Sequence, residues 1–370
     1  MKTETFHLEL ITPCFCGGAE PEKQAEIRAP SIRGQLRWWF RTLGGFKSLA
    51  PMPVRDQEVL IFGTTAGDQG RAGKLIVRVN APDPSKLRTT ATGNANTMNA
   101  QVGTERGYLL FPLRTQTKGV FKSAQLPAFD LIAHWRGDAT LWSDIQALVA
   151  VFGHLGALGF RGRRAMGALR FRANAPDLRT ALDCFAKKEN MVLTELKSDG
   201  ELREDSCISE LANWLKSWRE HGRTPNLALA QPGFDHARRD HNEGLKRLGV
   251  PVTFNPPGRP PKGSDGETFR PALGLPIIQF FSSQPKGAQN KVNWDWGWNR
   301  ERRKGEGRFA SPVLLRPHKD AQGNWHALVI FVDAHRWPNG KQVFLNGQPR
   351  KVSLELYEKM KTDPRLHPFP

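Results

Sequence analysis

The stretch RAPSIRGQLRWWFRTLGG, residues 28–45, holds four arginines and two tryptophans and contains no carboxylate. Its apolar side chains recur at spacings of four and three residues, at Ile32, Leu36, Phe40 and Leu43. This is the period of an amphipathic helix. We therefore predict a helix with Ser31 as its N-cap and the glycine pair 44–45 as its stop.

The segments around this helix predict an alternation of strands and helices. Residues 5–11 alternate apolar and polar side chains, which is typical of a half-buried strand. Further strands are predicted at 58–63, 74–79, 129–132 and 168–172, and a second helix at 141–152. The order is that of a β-α-β-β-α-β ferredoxin-like unit. We predict an α+β protein with such a domain at residues 1–172 and a second at 173–370, with long loop insertions.

The net charge is strongly positive along the whole chain. Lys and Arg number 54 against 36 Asp and Glu, which gives +18 over 370 residues. Up to residue 172 there are 23 basic and 13 acidic residues, and after it 31 and 23, so no basic tail accounts for the excess. A bias of this size favours a polyanionic partner such as nucleic acid, with a basic enzyme as the alternative.

The predicted helix carries a stripe of like charge. Arg33, Arg37 and Arg41 are spaced by four residues, and no acid lies at helical spacing to pair with them. We expect these arginines to be available to bind an anionic ligand beside Trp38. The alternative is that they pair with carboxylates from elsewhere or face water.

A second basic segment, residues 153–167, interleaves glycine with arginine. Its closely spaced glycines would let backbone N–H groups approach an anion, and its arginines would add fixed charge. Phe160 could stack on a base. In the predicted sheet the last strand lies antiparallel beside the first, so this segment and residues 12–30 should emerge at one edge. The start of the arginine helix should lie there too, favourably for phosphate.

The motifs PSIRGQLRWWFRTLGG, VLIFG and LGALGFRGRRAMGALRF resemble the RAMP superfamily of CRISPR-associated proteins. RPALGLPIIQFF and RFASPVLLRPH extend the resemblance, which is greatest to the family of subunits numbered one in type III-B Cmr effector complexes. The resemblance implies two ferredoxin-like, RRM-related domains. It also implies binding of guide (CRISPR) RNA at its 3′ part, capture of target RNA in antiviral defence, and neighbouring RAMP subunits as partners.

Charge, geometry and resemblance together give a set of predicted RNA-binding residues. They are Gly17, Gly18, Arg28, Ser31, Arg33, Arg37, Trp38, Arg41, Gly156, Gly159, Phe160, Arg161, Gly162, Arg163, Arg164 and Arg308. We predict no catalytic residue. The competing hypothesis is a metal-independent RAMP ribonuclease in which His154 acts as general base, and a third is a scaffold that touches only protein.

We expect no cofactor and no metal site. The spacings of Cys14, Cys16, Cys184 and Cys207 fit neither a zinc site nor a disulfide framework. No apolar run approaches the roughly 18 residues of a membrane span, and none resembles a signal peptide. We therefore expect a cytoplasmic prokaryotic protein that does not contact membrane.

Overall fold

A computed structural model of the chain describes most of its residues. The described ranges are 1–16, 26–65, 70–81, 88–90, 105–110, 123–125, 128–220, 236–250, 267–275, 277–281, 290–296 and 309–369. Three predicted RNA-binding residues, Gly17, Gly18 and Arg308, lie outside these ranges, as do most residues of the insertions predicted at 80–107, 255–266 and 284–308.

The described chain alternates helices and strands. The helices are α1 Ala29–Thr42, α2 Val54–Phe62, α3 Glu105–Leu109, α4 Trp142–Leu155, α5 Leu178–Asp183, α6 Glu204–Glu220, α7 His236–Arg247 and α8 Glu355–Lys361. The strands are β1 Lys2–Leu10, β2 Gly63–Thr64, β3 Arg71–Ala72, β4 Leu75–Asn80, β5 Arg88–Thr90, β6 Ser123–Gln125, β7 Phe129–Trp135, β8 Leu169–Phe171, β9 Met191–Leu196, β10 Glu267–Thr268, β11 Ile277–Phe280, β12 Lys291–Trp296, β13 Val313–Lys319, β14 Trp325–Val332, β15 Gln342–Leu345, β16 Gln348–Val352 and β17 Leu366–Pro368. The predicted α+β class is confirmed.

The first four-stranded sheet has the order β4-β7-β1-β8. Its neighbours are antiparallel, with Phe6 opposite Leu131 and Glu9 opposite Arg170. Buried and half-buried side chains alternate along β7, so the period of two gives this sheet one buried face. The predicted placement of the last strand beside the first is confirmed, and it sets the edge at which the candidate site forms.

A second four-stranded sheet has the order β13-β14-β9-β17. In each sheet the fourth strand lies beside the first and the third beside the second, when strands are counted along the chain. The described helices α6 and α8 come after the first and third strands of the second sheet. A separate five-stranded sheet, β10-β16-β15-β12-β11, is built from residues 267–352.

Helix α1 begins three residues before the predicted position. Ala29 is its first residue and Arg28 is the N-cap, which makes no side-chain capping bond. Pro30 occupies the first turn, where its missing N–H removes no intrahelical bond. The prediction of Ser31 as N-cap was wrong. The helix already includes Pro30, because proline is well tolerated in the first turn of a helix, and Ser31 therefore lies inside the helix. The stop at Gly44 and Gly45 is confirmed by their positive φ of 75° and 76°.

Residues 58–63 were predicted as a strand, and this was wrong. Residues 58–62 belong to α2, which begins after Pro53 and is followed by its C-cap Gly63, with φ 74°. Glu58, Ile61 and Phe62 are buried at helical spacings along it. A short apolar run bounded by glycine does not distinguish a buried helical turn from a strand.

Spatial contacts divide the chain into two compact units. The first comprises residues 1–213, 314–332 and 367–370, and the second 214–313 and 333–366. Residues 173–213, predicted to start the second domain, fall in the first unit. The reason lies in strand pairing and burial: β9 pairs with β14, and Leu328 and Ile330 of β14 belong to the same apolar cluster as Phe6 of β1. Both four-stranded sheets contribute strands to the first unit.

Candidate nucleic-acid interface

The arginine stripe of α1 faces α2. Arg37 donates from Nε and Nη2 to Glu58 Oε1, at 2.8 and 2.6 Å. Arg41 Nη1 lies 3.6 Å from the same oxygen, and its side chain is 53% exposed. Arg33 donates to the carbonyl of Phe62 near the end of α2, where a cation complements the helix dipole.

Each of the three arginines therefore has an internal partner, which corresponds to the stated alternative rather than to arginines that lack one. Glu58 is a single carboxylate shared by Arg37 and Arg41, so the positive charge of the stripe is only partly neutralised. Arg41 is the more exposed of the two, at 53% against 38% for Arg37. Arg28 and Ser31 are exposed at the start of the helix.

The Gly/Arg loop, residues 156–167, has an unusual backbone. Gly159, Arg161, Ala165 and Gly167 all have positive φ, between 64° and 79°. Such a conformation is costly for Arg161 and Ala165, which carry a Cβ. A Cβ on Gly167 would lie 1.9 Å from the Leu158 carbonyl oxygen, so glycine is required there.

The loop is bound to the chain that leaves β1. Phe160 N donates to Phe15 O at 2.9 Å, and Gly167 N to Pro13 O at 2.9 Å. The buried hydroxyl of Thr12 accepts from Ala168 N and donates to the Ala165 carbonyl, both at 2.9 Å. The predicted convergence of these two segments, more than 140 residues apart in sequence, is confirmed.

Helix α1 and the Gly/Arg loop meet at Trp38. The Arg163 guanidinium lies 4.9 Å from the centre of the Trp38 ring, a cation–π contact. Trp38 in turn packs edge to face on Trp39, with ring centres 4.8 Å apart. Burial lowers the pKa of Arg163. The helix and the loop therefore form one surface.

Other predicted residues of the loop have structural roles. Gly156 ends α4, and its N–H donates to Phe152 O at 2.8 Å. Arg164 is 8% exposed and donates from Nη1 to the Arg163 carbonyl at 3.1 Å. Phe160, Arg161 and Gly162 are partly exposed.

A cavity of about 330 Å³ lies between α1, the loop and β13. Gly34, Trp38 and Arg41 line it from the helix. Gly159, Gly162 and Arg163 line it from the loop. The structure thus brings these predicted residues together around one space.

Arg316, in β13, also lines this cavity and was missed by the sequence analysis. It comes close because Ala165 N donates to Leu315 O and Leu315 N donates to Arg163 O, at 3.1 and 3.2 Å. Arg316 Nη2 donates to the Gly162 carbonyl at 3.1 Å. Its place in an apolar strand gave no sequence signal beyond the presence of one charge in a buried run.

Arg316 is 2% exposed. Burial, together with the nearby positive charge of Arg163, lowers the pKa of its guanidinium to about 9. The group therefore still carries its charge at pH 7. Such a cation is expensive to bury unless a negative group lies against it.

His154, the candidate base of the ribonuclease hypothesis, lines a different cavity of about 710 Å³. Its Nε2 lies 2.8 Å from the Pro176 carbonyl, which can only accept, so this nitrogen carries the proton. Burial lowers the pKa of His154. The ring of His318 lies 5.7 Å away in the same cavity.

Three further observations concern the described residues only. The four cysteines are free thiols. No cluster of His, Cys, Asp and Glu within the described ranges could hold a metal ion. None of the helices described is both long and apolar enough to cross a membrane.

Comparison with known proteins finds similarity to a family over the N-terminal part of the chain. The RAMP superfamily model matches residues 7–170, which contain α1 and the Gly/Arg loop. The CRISPR system Cmr subunit Cmr1-2 of Pyrococcus furiosus is 27% identical over 186 residues, covering 45% of this chain and 92% of that protein. Subunit Cmr1-1 of the same organism is 27% identical over 175 residues, covering 46% of this chain and 48% of that one.

A solved structure supports the fold over a longer range. The crystal structure of Cmr1 from Pyrococcus furiosus in its apo form aligns with a TM-score of 0.53 at 15% identity, covering 92% of this chain and 89% of that one. The RAMP superfamily model thus matches residues 7–170, and the chain is similar to the Cmr1 subunits of CRISPR Cmr systems in sequence and, over a longer range, in fold.

Proposed function

We propose that this chain is a non-catalytic RNA-binding subunit of a type III-B CRISPR (Cmr) effector complex. It would hold the 3′ part of the guide RNA and help to capture complementary target RNA in the cytoplasm of a prokaryote. Its partners would be the neighbouring RAMP subunits. The similarity to Cmr1 subunits supports the assembly, and the net charge of +18 supports a polyanionic ligand.

One observation carries the RNA-binding part of this proposal. The Arg163–Trp38 contact joins a basic helix to a Gly/Arg loop, so cations and an aromatic face line the same cavity. Basic groups that follow a phosphate backbone, combined with an aromatic stacking surface, are typical of proteins that bind single strands with little sequence preference.

The direct test measures the affinity of the full chain for single-stranded RNAs of unrelated sequence. We expect similar affinities for all of them, and weaker binding by Arg41→Ala and Trp38→Ala. In Arg41→Ala the slope of log K against log salt should fall by about 0.7, the contribution of one phosphate contact. Arg55→Ala removes an exposed arginine of α2 away from the cavity and serves as the control. A wild-type chain without RNA affinity would refute the proposal.

The role in the complex needs its own experiment. The chain is added to a reconstituted Cmr complex that lacks its Cmr1 subunit, and the guide RNA is then digested with a single-strand nuclease. We expect the chain to co-purify with the complex and to extend protection at the 3′ end of the guide. Co-purification without new protection would instead indicate the scaffold hypothesis.

The ribonuclease hypothesis is separated from this proposal by incubating the chain with labelled RNA, with and without divalent metal. Metal-independent cleavage that His154→Ala abolishes would make the chain an enzyme. We expect none, because Nε2 of His154 is bonded to Pro176 and the ring lies in a cavity other than the one lined by α1.

We also infer that residues 1–172 and 173–370 are two ferredoxin-like domains. Each four-stranded sheet draws its strands from one of these halves. Both sheets have the fourth-first-third-second order of a β-α-β-β-α-β unit.

A further inference from the structure

Arg316 is a buried cation whose hydrogen-bonding capacity is largely unused. Its Nη2 bonds to the Gly162 carbonyl, while Nε and Nη1 are buried and have no hydrogen-bond partner among the described residues. A guanidinium offers five N–H donors, so several of them are left without an acceptor. Buried polar groups are normally satisfied, and an exception needs an explanation.

The surroundings of Arg316 are positive rather than negative. The described residues lining the cavity include the cations Arg41, Arg163 and Arg316 and no Asp or Glu. Arg163 lies near enough to Arg316 to disfavour its charge. Removing one partner of a buried ion pair is strongly destabilising, and here none of the described residues that line the cavity supplies an anionic partner. The site is therefore built for an anion that comes from outside.

We propose that this cavity is a pocket for one phosphate group of the bound RNA, with Arg316 as its buried anchor. This inference rests on the proposed RNA-binding function and deepens it. The planar guanidinium presents paired donors that match two oxygens of a phosphate, which a lysine cannot do. Gly162 O fixes the guanidinium from one side and leaves Nε and Nη1 for the ligand.

Gly34 forms the facing wall of the pocket. It lies inside α1, where glycine costs about 1 kcal/mol relative to alanine, and yet no atom other than those of its chain neighbours and its own helix backbone lies within 4 Å of the Cβ position. Neither packing nor backbone conformation therefore requires a glycine here. A missing side chain at this position leaves the cavity open, and this agrees with a space reserved for a ligand.

The first test compares Arg316→Met, Arg316→Lys and the control Arg55→Met in RNA binding by the full chain. Each methionine variant removes one positive charge, but Arg55 is exposed on α2. We expect Arg316→Met to weaken binding by at least tenfold and Arg316→Lys to restore it only in part. Arg55→Met should change the affinity by less than threefold. Equal effects of Arg316→Met and Arg55→Met would overturn the pocket.

Thermal melting of the free chain supplies a readout that a purely structural arginine would not give. If Arg316 awaits a phosphate, Arg316→Met should melt at the same temperature as the wild type or higher, because an unpaired buried charge has been removed. A structural arginine would instead lower the melting temperature when replaced. The proposal is contradicted if Arg316→Met melts well below the wild type and the fraction of unfolded chain accounts for all of its loss of RNA affinity.

A second variant tests the pocket even if Arg316→Met does not fold. Gly34→Leu places a side chain into the cavity from a position with open space and favours the helix, so α1 should be retained. We expect it to weaken RNA binding at least as much as Arg316→Met does. A folded Gly34→Leu chain with wild-type affinity would overturn the proposal.

The phosphate could lie within the strand or at its end. Oligoribonucleotides of one sequence with a 3′-hydroxyl, a 3′-phosphate or a 5′-phosphate distinguish these cases. Equal affinities that all fall in Arg316→Met identify an internal phosphodiester, and a gain of tenfold or more for one terminal phosphate, lost in Arg316→Met, identifies that end. If the wild type binds none of them, the proposed function fails. If it binds all of them and the variants do so equally, only the phosphate pocket fails.

Discussion

Glu58 determines how much of the positive charge of α1 is available to a ligand. Its side chain is 11% exposed and interacts with both Arg37 and Arg41. A buried carboxylate between two arginines holds them in position, but it also competes with any phosphate for the same guanidinium groups. This balance can be tested with a single substitution.

We expect Glu58→Gln to lower the stability of the chain and raise its RNA affinity. Loss of the charged hydrogen bonds to Arg37 should reduce the free energy of unfolding by about 1–3 kcal/mol. The freed guanidinium groups should strengthen RNA binding by roughly 1 kcal/mol, or about fivefold in Kd. Chemical denaturation and RNA titration measure the two effects.

The matched control is Glu355→Gln, which removes an acid that is 46% exposed in α8. It should change both quantities much less. If Glu58→Gln weakens RNA binding instead, the role of Glu58 is to orient Arg37 and Arg41 for the ligand rather than to compete with it.

Residue-scale prediction from the sequence was limited by distance along the chain. No acid lies near Arg33, Arg37 and Arg41 in sequence, but α2 brings Glu58 to Arg37 and Arg41. Because residues 58–63 were interpreted as a strand, no helical partner was expected there. Arg316 was missed for a similar reason: it reaches the site only through the pairing of Leu315 with the Gly/Arg loop.

At the scale of elements, the Gly/Arg loop depends on its backbone as much as on its charge. Gly167 has φ 66° and no room for a Cβ, whereas Gly162 has no positive φ and its nearest neighbour to a Cβ would be the Ala157 methyl at 3.2 Å. The two glycines belong to one loop, but only the first is required by the conformation of the chain.

We therefore expect Gly167→Ala to destabilise the protein by about 2–4 kcal/mol, from a left-handed backbone conformation and a clash with the Leu158 carbonyl. Gly162→Ala, its control in the same loop, should cost about 1 kcal/mol or less. Urea denaturation of both variants measures the difference. Equal losses would mean that the loop can rearrange around an added methyl group.

The elements that sequence analysis predicted correctly are those with a strong period. The alternation along β1 and β7 and the apolar stripe of α1 gave strands and a helix at the right places. The topology of the first sheet followed, and with it the convergence of the Gly/Arg loop and residues 12–16. The start of α1 and the helical conformation of residues 58–62 were not predicted. Both depend on where proline begins a helix and where glycine ends one.

At the scale of the whole molecule, the positive charge is distributed evenly along the sequence, whereas the spatial contacts join segments that are far apart in it. The positive charge is spread over both halves of the sequence, so long-range attraction of a polyanion does not depend on one domain. Contacts instead join residues 314–332 to the N-terminal part of the chain. Sequence order alone could not predict this, since β13 and β14 are separated from β9 by more than 100 residues.

The strand pairing that joins these segments also buries a histidine. His318 of β13 is 5% exposed and packs near His154 and His326. Burial lowers its pKa to about 4, with a further lowering from the charge of the two neighbouring histidines, while Asp320 acts in the opposite direction. The folded state therefore keeps His318 neutral at pH values where an unfolded chain would protonate it.

This difference makes the stability of the molecule depend on pH. Between pH 6.5 and about 4 the unfolded state binds a proton at His318 that the folded state does not, so the free energy of unfolding should fall as the pH drops through this window. The size of the shift corresponds to about 3 kcal/mol. In His318→Gln this part of the pH dependence should disappear, whereas His7→Gln, at a side chain that is 50% exposed, should retain it. Denaturation curves at pH 7.5 and pH 4.5 for the three proteins measure the effect, and a wild type and a His318→Gln variant that lose equal stability between these pH values would show that His318 is protonated without cost in the fold.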